Sequence, residues 1–81
     1  MMVELDVPRG TRLLLRAREI RPNPTKRDEI VWSVAVYRNA IAGMVILQGH
    51  VCGAAGECAQ GWCFEAQVSV DAIRANLAGI R

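Results

Sequence analysis

Residues 30–37 read IVWSVAVY, and this stretch decides the fold class. β-branched and aromatic residues favour extended backbone, and the run contains neither glycine nor proline, so it predicts a β-strand. Apolar side chains occupy both odd and even positions, which is typical of an internal strand covered on both faces. We therefore expect the aromatic side chains to lie in the hydrophobic core: Trp32, Tyr37, Trp62 and Phe64.

Two segments further along the chain predict the neighbouring strands. Residues 44–52 and residues 62–70 are rich in apolar side chains that alternate with polar ones. If they pair as an antiparallel hairpin with Cys52 opposite Cys63, apolar side chains gather on one face and polar side chains on the other. The same register pairs Gln48 with Gln67, His50 with Glu65 and Leu47 with Val68.

The chain before these strands contains a short strand and an ambiguous segment. Residues 3–7 alternate apolar and acidic side chains, which predicts a half-buried strand, and residues 8–10 predict a turn. Residues 11–21 suit a helix by composition, but short extended segments flank them, so we favour a strand. The prolines within residues 22–24 end either element and begin an exposed loop.

The C-terminal residues predict a short helix over residues 72–78. Asp71 is a good N-cap residue, and Gly79 suits the position just after the helix end. The face expected to dock on the sheet is formed, by its spacing, by Ile73, Leu77 and Ile80.

These elements predict an α+β fold: a small, twisted antiparallel sheet of about four to five strands with a short C-terminal helix packed on one face. A small, partly open β-barrel is the alternative. The 81 residues suit a single domain over 1–81. A core this small often depends on a metal, a disulfide or a second subunit, so a homodimer is one expected assembly.

The composition predicts a cytoplasmic chain that contacts no membrane. The first residues are acidic, unlike a signal peptide. The longest apolar stretch, residues 41–47, is much shorter than the roughly 20 residues that a spanning helix needs. In the cytoplasm we expect the cysteines to stay reduced.

Positive charge is concentrated in one quarter of the chain. Residues 8–27 carry seven basic side chains against Glu19 alone, although the net charge of the chain is only +2. If residues 12–18 are extended, three arginines emerge on one face and form a surface for docking on a macromolecular partner; a solvated face without a partner is the alternative. The predicted partner-binding residues are Arg9, Arg12, Arg16, Arg18, Arg21, Lys26 and Arg27.

Every cysteine and the only histidine fall within residues 50–63, in the pattern H-x-C-x5-C-x4-C. Zinc takes such ligands, but its common sites contain a closely spaced cysteine pair that this pattern lacks. A disulfide between opposed strands and inert packed thiols are the other two interpretations. No cofactor is assigned on this pattern alone; the candidate zinc ligands are His50, Cys52, Cys58 and Cys63.

The sequence predicts a small non-enzymatic protein that acts by binding. Its arginine-rich segment suits a nucleoprotein, a nucleic acid or an acidic protein. The expected burial of the aromatic side chains argues against single-stranded nucleic acid and leaves a duplex, a nucleoprotein or an acidic protein. Of these, a protein or nucleoprotein is favoured over free nucleic acid. A phage-type inhibitor of a host nucleoprotein machine, such as an anti-CRISPR protein, is compatible with this size. A zinc-stabilised interaction module is the alternative, and a cysteine-dependent enzyme is the least favoured class.

Overall fold

The computed structural model describes residues 6–23, 26–38, 41–52 and 61–81, which form a curled antiparallel sheet with one α-helix. The α+β class is confirmed, and the curl into a half-barrel also matches the barrel alternative. Within these ranges no helix has the length and hydropathy needed to cross a bilayer. The elements in chain order are β1 (Arg12–Leu15), a 3₁₀ turn (Ala17–Glu19), β2 (Ile20–Arg21), β3 (Glu29–Arg38), β4 (Met44–His50), β5 (Phe64–Ser69) and α1 (Val70–Leu77).

The sheet curls because its two edge strands are neighbours in the chain. All strand pairs are antiparallel and the order is β1-β3-β4-β5-β2, so β1 and β2 lie at opposite edges. Only residues 16–19 connect them, and a linker with a 3₁₀ turn spans about 13 Å. A flat sheet of five strands would hold its edges about 19 Å apart, so the sheet has to close on one side.

The inner, closed side of the sheet carries the hydrophobic core. Alternate residues of β1, β4 and β5 point inward, as the strand period requires, and meet the buried side of α1. The strand predicted at residues 30–37 is confirmed as β3, which lies between β1 and β4. Among the described residues the largest fully buried side chains are Leu13, Leu15, Val31, Leu47, Val68 and Ile73.

The β4–β5 hairpin has the predicted faces but a register shifted by two residues. Gln48 lies opposite Glu65 rather than opposite Gln67, so the predicted register with Cys52 against Cys63 is wrong. A shift of two keeps every side chain on its predicted face. The apolar pattern fixes which face is buried, but both registers satisfy it.

A β-bulge in β3 brings its two aromatic side chains to the same face of the sheet. Residues five apart, such as Trp32 and Tyr37, face opposite sides of a regular strand. The register of β3 against β4 slips by one between Ser33 and Ala35, and the extra residue turns Tyr37 to the face of Trp32. Trp32 and Tyr37 are exposed by 41% and 52%, so their predicted burial is wrong, whereas Phe64 packs against the core.

The segment 11–21 combines strand and turn. The predicted strand is right at Arg12–Leu15 and Ile20–Arg21, but Ala17–Glu19 is a 3₁₀ turn. The N–H of Glu19 donates to the Arg16 carbonyl at 2.9 Å, and its side chain accepts the Arg16 N–H at 2.7 Å. These two bonds close the turn, so residues 12–18 are not one continuous strand.

The predicted strand at residues 3–7 lies largely outside the described residues. Residues 6–7 belong to no strand. The predicted turn that follows is confirmed, and Ser33 attaches it to β3: the Ser33 hydroxyl donates to the Pro8 carbonyl at 2.8 Å and accepts the Thr11 N–H at 3.0 Å.

The C-terminal helix begins at Val70, two residues earlier than predicted. Ser69 and not Asp71 is its N-cap, because the Ser69 Oγ accepts the Ala72 N–H at 3.4 Å. At the other end Gly79 has a φ of 75°, a conformation that glycine adopts without strain, so its predicted place after the helix is confirmed.

The docking face of α1 differs from the predicted one. Ile73 is fully buried as expected, whereas Leu77 and Ile80 are exposed, so their predicted docking is wrong. Asn76 makes the contact instead: its side-chain amide accepts the Leu14 N–H at 2.8 Å and donates to the Leu14 carbonyl at 2.9 Å. The amide pairs with the edge strand β1 as another strand would, and so ties the helix to the sheet.

Candidate metal centre and basic surface

Three of the four predicted metal ligands meet at one end of the β4–β5 hairpin. His50 ends β4, and Cys63 immediately precedes β5. The Cys63 N–H donates to the Gly49 carbonyl at 3.0 Å, which continues the strand pairing toward the cluster. The ligand atoms of His50, Cys52 and Cys63 all lie within 4.8 Å of one another. Cys58 lies outside the described residues.

The surroundings of Cys63 favour its thiolate. Its sulfur lies 3.4 Å from the sulfur of Cys52, without a disulfide, and accepts the Val51 N–H at 3.3 Å. Burial raises the pKa of the Cys63 thiol, but hydrogen bonds from the backbone of Val51 and Cys52 and from the side chains of Cys52 and His50 lower it more. The pKa therefore falls from the ordinary 9.0 to about 6. The thiolate is the form that binds metal ions.

The donor set suits zinc in kind and in size. Two sulfur ligands of a tetrahedral zinc ion lie about 3.8 Å apart, since each Zn–S bond is about 2.3 Å long. The sulfur atoms of Cys52 and Cys63 are 3.4 Å apart, so they would move by only a few tenths of an ångström. His50 is buried, and packing around its ring limits where the imidazole can point. A fourth ligand would complete the tetrahedron.

The seven predicted partner-binding side chains are all exposed, which keeps the charge of their segment at the surface. Arg16 forms the only ion pair that any of them makes within the described ranges, 3.6 Å from Asp28. Both partners are more than half exposed, so the pair contributes little. Arg12 emerges from β1, Arg16 from the linker and Arg18 from the 3₁₀ turn, rather than all three from one strand.

Glu19, the acidic residue within residues 8–27, forms an ion pair with Arg81 near the other end of the sequence. Arg81 Nη2 donates to Glu19 Oε2 at 2.7 Å, and this hydrogen bond lowers the pKa of Glu19. Arg81 also lines an open cleft of about 440 Å³ together with Arg16 and Arg18. Since 62 residues separate Arg81 from Glu19, no local pattern predicts their contact.

The outer face of the sheet is a second surface that the sequence did not predict. Directly opposed residues of antiparallel strands point to the same face, so rows of side chains cross the sheet. Each of two rows carries an exposed aromatic side chain on β3 and an arginine on an edge strand. The alternation of residue types gives no sign of the bulge that aligns them. One row contains Arg12, Trp32 and His50, and the other contains Arg21, Gln67, Ile46 and Tyr37.

Comparisons of the chain with protein-family models, curated proteins and solved structures found no match in any of the three.

Proposed function

We propose that this protein is a small non-enzymatic binding protein that docks on an anionic macromolecule through an arginine-rich surface. The supporting observation is that all seven basic side chains of the surface are exposed, while Glu19 is occupied by Arg81. Net positive charge of this kind attracts phosphate and carboxylate groups over long range. The surface comprises Arg9, Arg12, Arg16, Arg18, Arg21, Lys26 and Arg27.

The proposed partner is a protein or nucleoprotein in the cytoplasm, for example a host nucleoprotein machine of the kind that phage-type anti-CRISPR inhibitors block. Acidic proteins and nucleoproteins share the anionic groups that arginine binds in bidentate fashion. A homodimer remains a prediction, which sedimentation of the purified protein checks.

Affinity capture from a lysate, with and without nuclease, tests the proposal. The Arg16→Ala/Arg18→Ala variant removes two guanidinium groups that line one cleft. The matched control, Arg38→Ala/Arg74→Ala, removes two exposed arginines elsewhere. We expect the first variant to lose the partner and the control to keep it, with unchanged melting temperatures. Equal capture by both variants would show that the surface is not the docking site, and the nuclease arm separates nucleic acid from protein.

A second candidate function is that of a zinc-stabilised interaction module, favoured by the cluster of His50, Cys52 and Cys63. A zinc ion held there would join the end of β4 to the start of β5 and contribute folding free energy, since an unfolded chain lacks the preformed site. Cys58 is the proposed fourth ligand. This function is compatible with docking through the arginine-rich surface, because the two sets of residues are distinct.

Metal analysis of the purified protein tests this candidate. We expect about one zinc ion per chain, and a melting temperature that falls when a chelator removes it. Cys63→Ser and His50→Ala should lower both zinc content and melting temperature, whereas Gln48→Ala, on the same face, should lower neither. Cys58→Ser then reports on the fourth ligand. Metal-free protein with full thermal stability would eliminate the structural zinc.

A further inference from the structure

We infer that the outer face of the sheet binds single-stranded nucleic acid, with bases stacked on Trp32 and Tyr37 and phosphates contacted by Arg12 and Arg21. The inference deepens the proposed function and rests on it in one respect, since both arginines belong to the arginine-rich surface. It also reverses an expectation from the sequence. Burial of the aromatic side chains would argue against single strands, but the structure places Trp32 and Tyr37 outside the core.

The two aromatic side chains form a platform with room for separate bases. Their partners on β4, His50 and Ile46, are four residues apart, which separates the two aromatic positions by about 13 Å. Both aromatic residues point to one face of a paired strand, so their positions are set by the sheet. Stacking of bases on exposed aromatic side chains is the usual way in which proteins bind single strands without reading their sequence.

The arginines on this face supply the complementary charge. Arg12 lies directly opposite Trp32 on the adjacent strand, and the Cα atoms of such a pair are about 5 Å apart. Arg21 lies at the opposite edge of the sheet, in the row that reaches Tyr37. Neither arginine forms an ion pair with a described residue.

The acidic side chain between the two rows does not cancel this charge. Glu65 and Gln48 lie opposite each other and form a third row between the two aromatic rows. The Glu65 carboxylate accepts a hydrogen bond from the Gln48 amide at 2.6 Å. Two arginines against one glutamate leave the three rows with a net positive charge. An anionic strand crossing the face would thus pass an arginine at each edge, with the stacking positions between them.

A single strand fits this surface better than the other anionic polymers. The bases of a duplex are already stacked on one another, so a duplex would use the arginines and leave the aromatic side chains without a role. An acidic protein would match the charge, but it does not carry a flat π-system on every unit of its chain as a single strand does. Two exposed aromatic side chains between arginines at the two edges of the sheet are therefore the feature that selects single-stranded nucleic acid.

Fluorescence anisotropy at low salt tests the inference with labelled oligo(dT) of about 12 nucleotides, and with a duplex of the same length. We expect the single strand to bind more tightly than the duplex. Trp32→Ala and Tyr37→Ala should each weaken binding about tenfold. Trp32→Phe should retain most of the affinity, because phenylalanine still stacks. In a Trp62→Phe background Trp32 is the only tryptophan, and the oligonucleotide should quench its fluorescence.

Ile80→Ala serves as the control, since Ile80 is 78% exposed and lies beyond the sheet; it should bind as the unmodified protein does. Absence of oligonucleotide binding, or equal affinity of the alanine variants and the control, would overturn the inference. The proposed function is judged separately, by whether Arg16→Ala/Arg18→Ala loses its partner, because neither of those arginines belongs to the rows on the outer face. Each claim can therefore fail while the other stands.

Discussion

The two faces of the same sheet differ in how their side chains are constrained. On the inner face Leu13, Leu47 and Val68 are fully buried and meet the helix. On the outer face Trp32 and Tyr37 are exposed, and the same face carries an arginine at each edge of the sheet and the metal-ligand cluster. Most of the buried apolar side chains that stabilise the fold lie on the inner face, so the outer face is free to carry residues that contact other molecules.

The largest expected effect comes from the inner face. Leu47→Ala removes a fully buried side chain from the centre of the core, and we expect a loss of about 3 kcal/mol in the free energy of unfolding. Ile46→Ala is the matched control, one residue away on the outer face, and should cost about 1 kcal/mol. Urea unfolding of both variants measures the difference. Equal losses would mean that the outer face is also a packed core.

A smaller loss of stability is expected at Gly49, where β3 lies very close to β4. A Cβ at Gly49 would lie 2.5 Å from Val31 Cγ1 and 2.6 Å from the Trp32 carbonyl oxygen. The second contact is with backbone, which a rotamer change cannot relieve, so Gly49→Ala should cost about 2 kcal/mol.

The Gly49→Ala/Val31→Ala double variant sharpens this test. It clears the side-chain contact and leaves the contact with the Trp32 carbonyl. Stability below that of Val31→Ala alone would show that the backbone requires glycine at residue 49. Complete recovery to the level of Val31→Ala would show that only the side chain stood in the way.

The inner face is the part of the molecule that the sequence predicts well. The period of two in residues 44–52 and 62–70 indicates which side chains are buried, whatever the register. Val45, Leu47, Ala66 and Val68 are indeed buried. The exact pairing is less predictable, because a shift of two residues satisfies the same pattern, and the observed register differs from the predicted one by that amount.

The outer face depends on features that no local pattern records. A single extra residue between Ser33 and Ala35 decides whether Tyr37 faces the core or solvent. The contacts of Asn76 and Arg81 with Leu14 and Glu19 join residues that are 62 positions apart.

The metal-ligand cluster is more predictable from the sequence than the outer face and less predictable than the inner face. Residue type identified its candidate ligands, and the approach of His50, Cys52 and Cys63 follows from strand ends that a hairpin brings together. The sequence therefore predicts that the cluster exists, but it does not predict the geometry of the cluster. The observed register of β4 against β5 differs by two residues from the register that suggested it.

A third and smaller loss of stability is expected at Asn76, which attaches α1 to the edge strand β1. Asn76→Ala removes both hydrogen bonds between the side chain and Leu14 and should lower stability by about 1.5 kcal/mol. Arg74→Ala, an exposed change in the same helix, should stay within about 0.5 kcal/mol. Thermal unfolding compares the two. A loss for Asn76→Ala no larger than that for Arg74→Ala would show that the amide is not the attachment.

The prediction most specific to the outer face concerns the ionisation of Cys63 in metal-free protein. Because its pKa is lowered from 9.0 to about 6, the thiolate favours the folded state. That contribution is complete above pH 9 and disappears as the pH falls through 6. The rate of alkylation by iodoacetamide should therefore rise with a midpoint near pH 6 in the folded protein and near pH 9 in urea.

Cys52→Ala and zinc give this titration two controls that act in different ways. The alanine variant removes the hydrogen-bonding thiol beside Cys63 and should move the midpoint upward, because a contact that lowers the pKa is lost. Zinc should instead slow alkylation at neutral pH, since a coordinated sulfur is protected from the reagent. A folded midpoint near 9 would show that the backbone donors of Val51 and Cys52 do not stabilise the thiolate, and the cluster would then be two ordinary thiols beside a buried histidine.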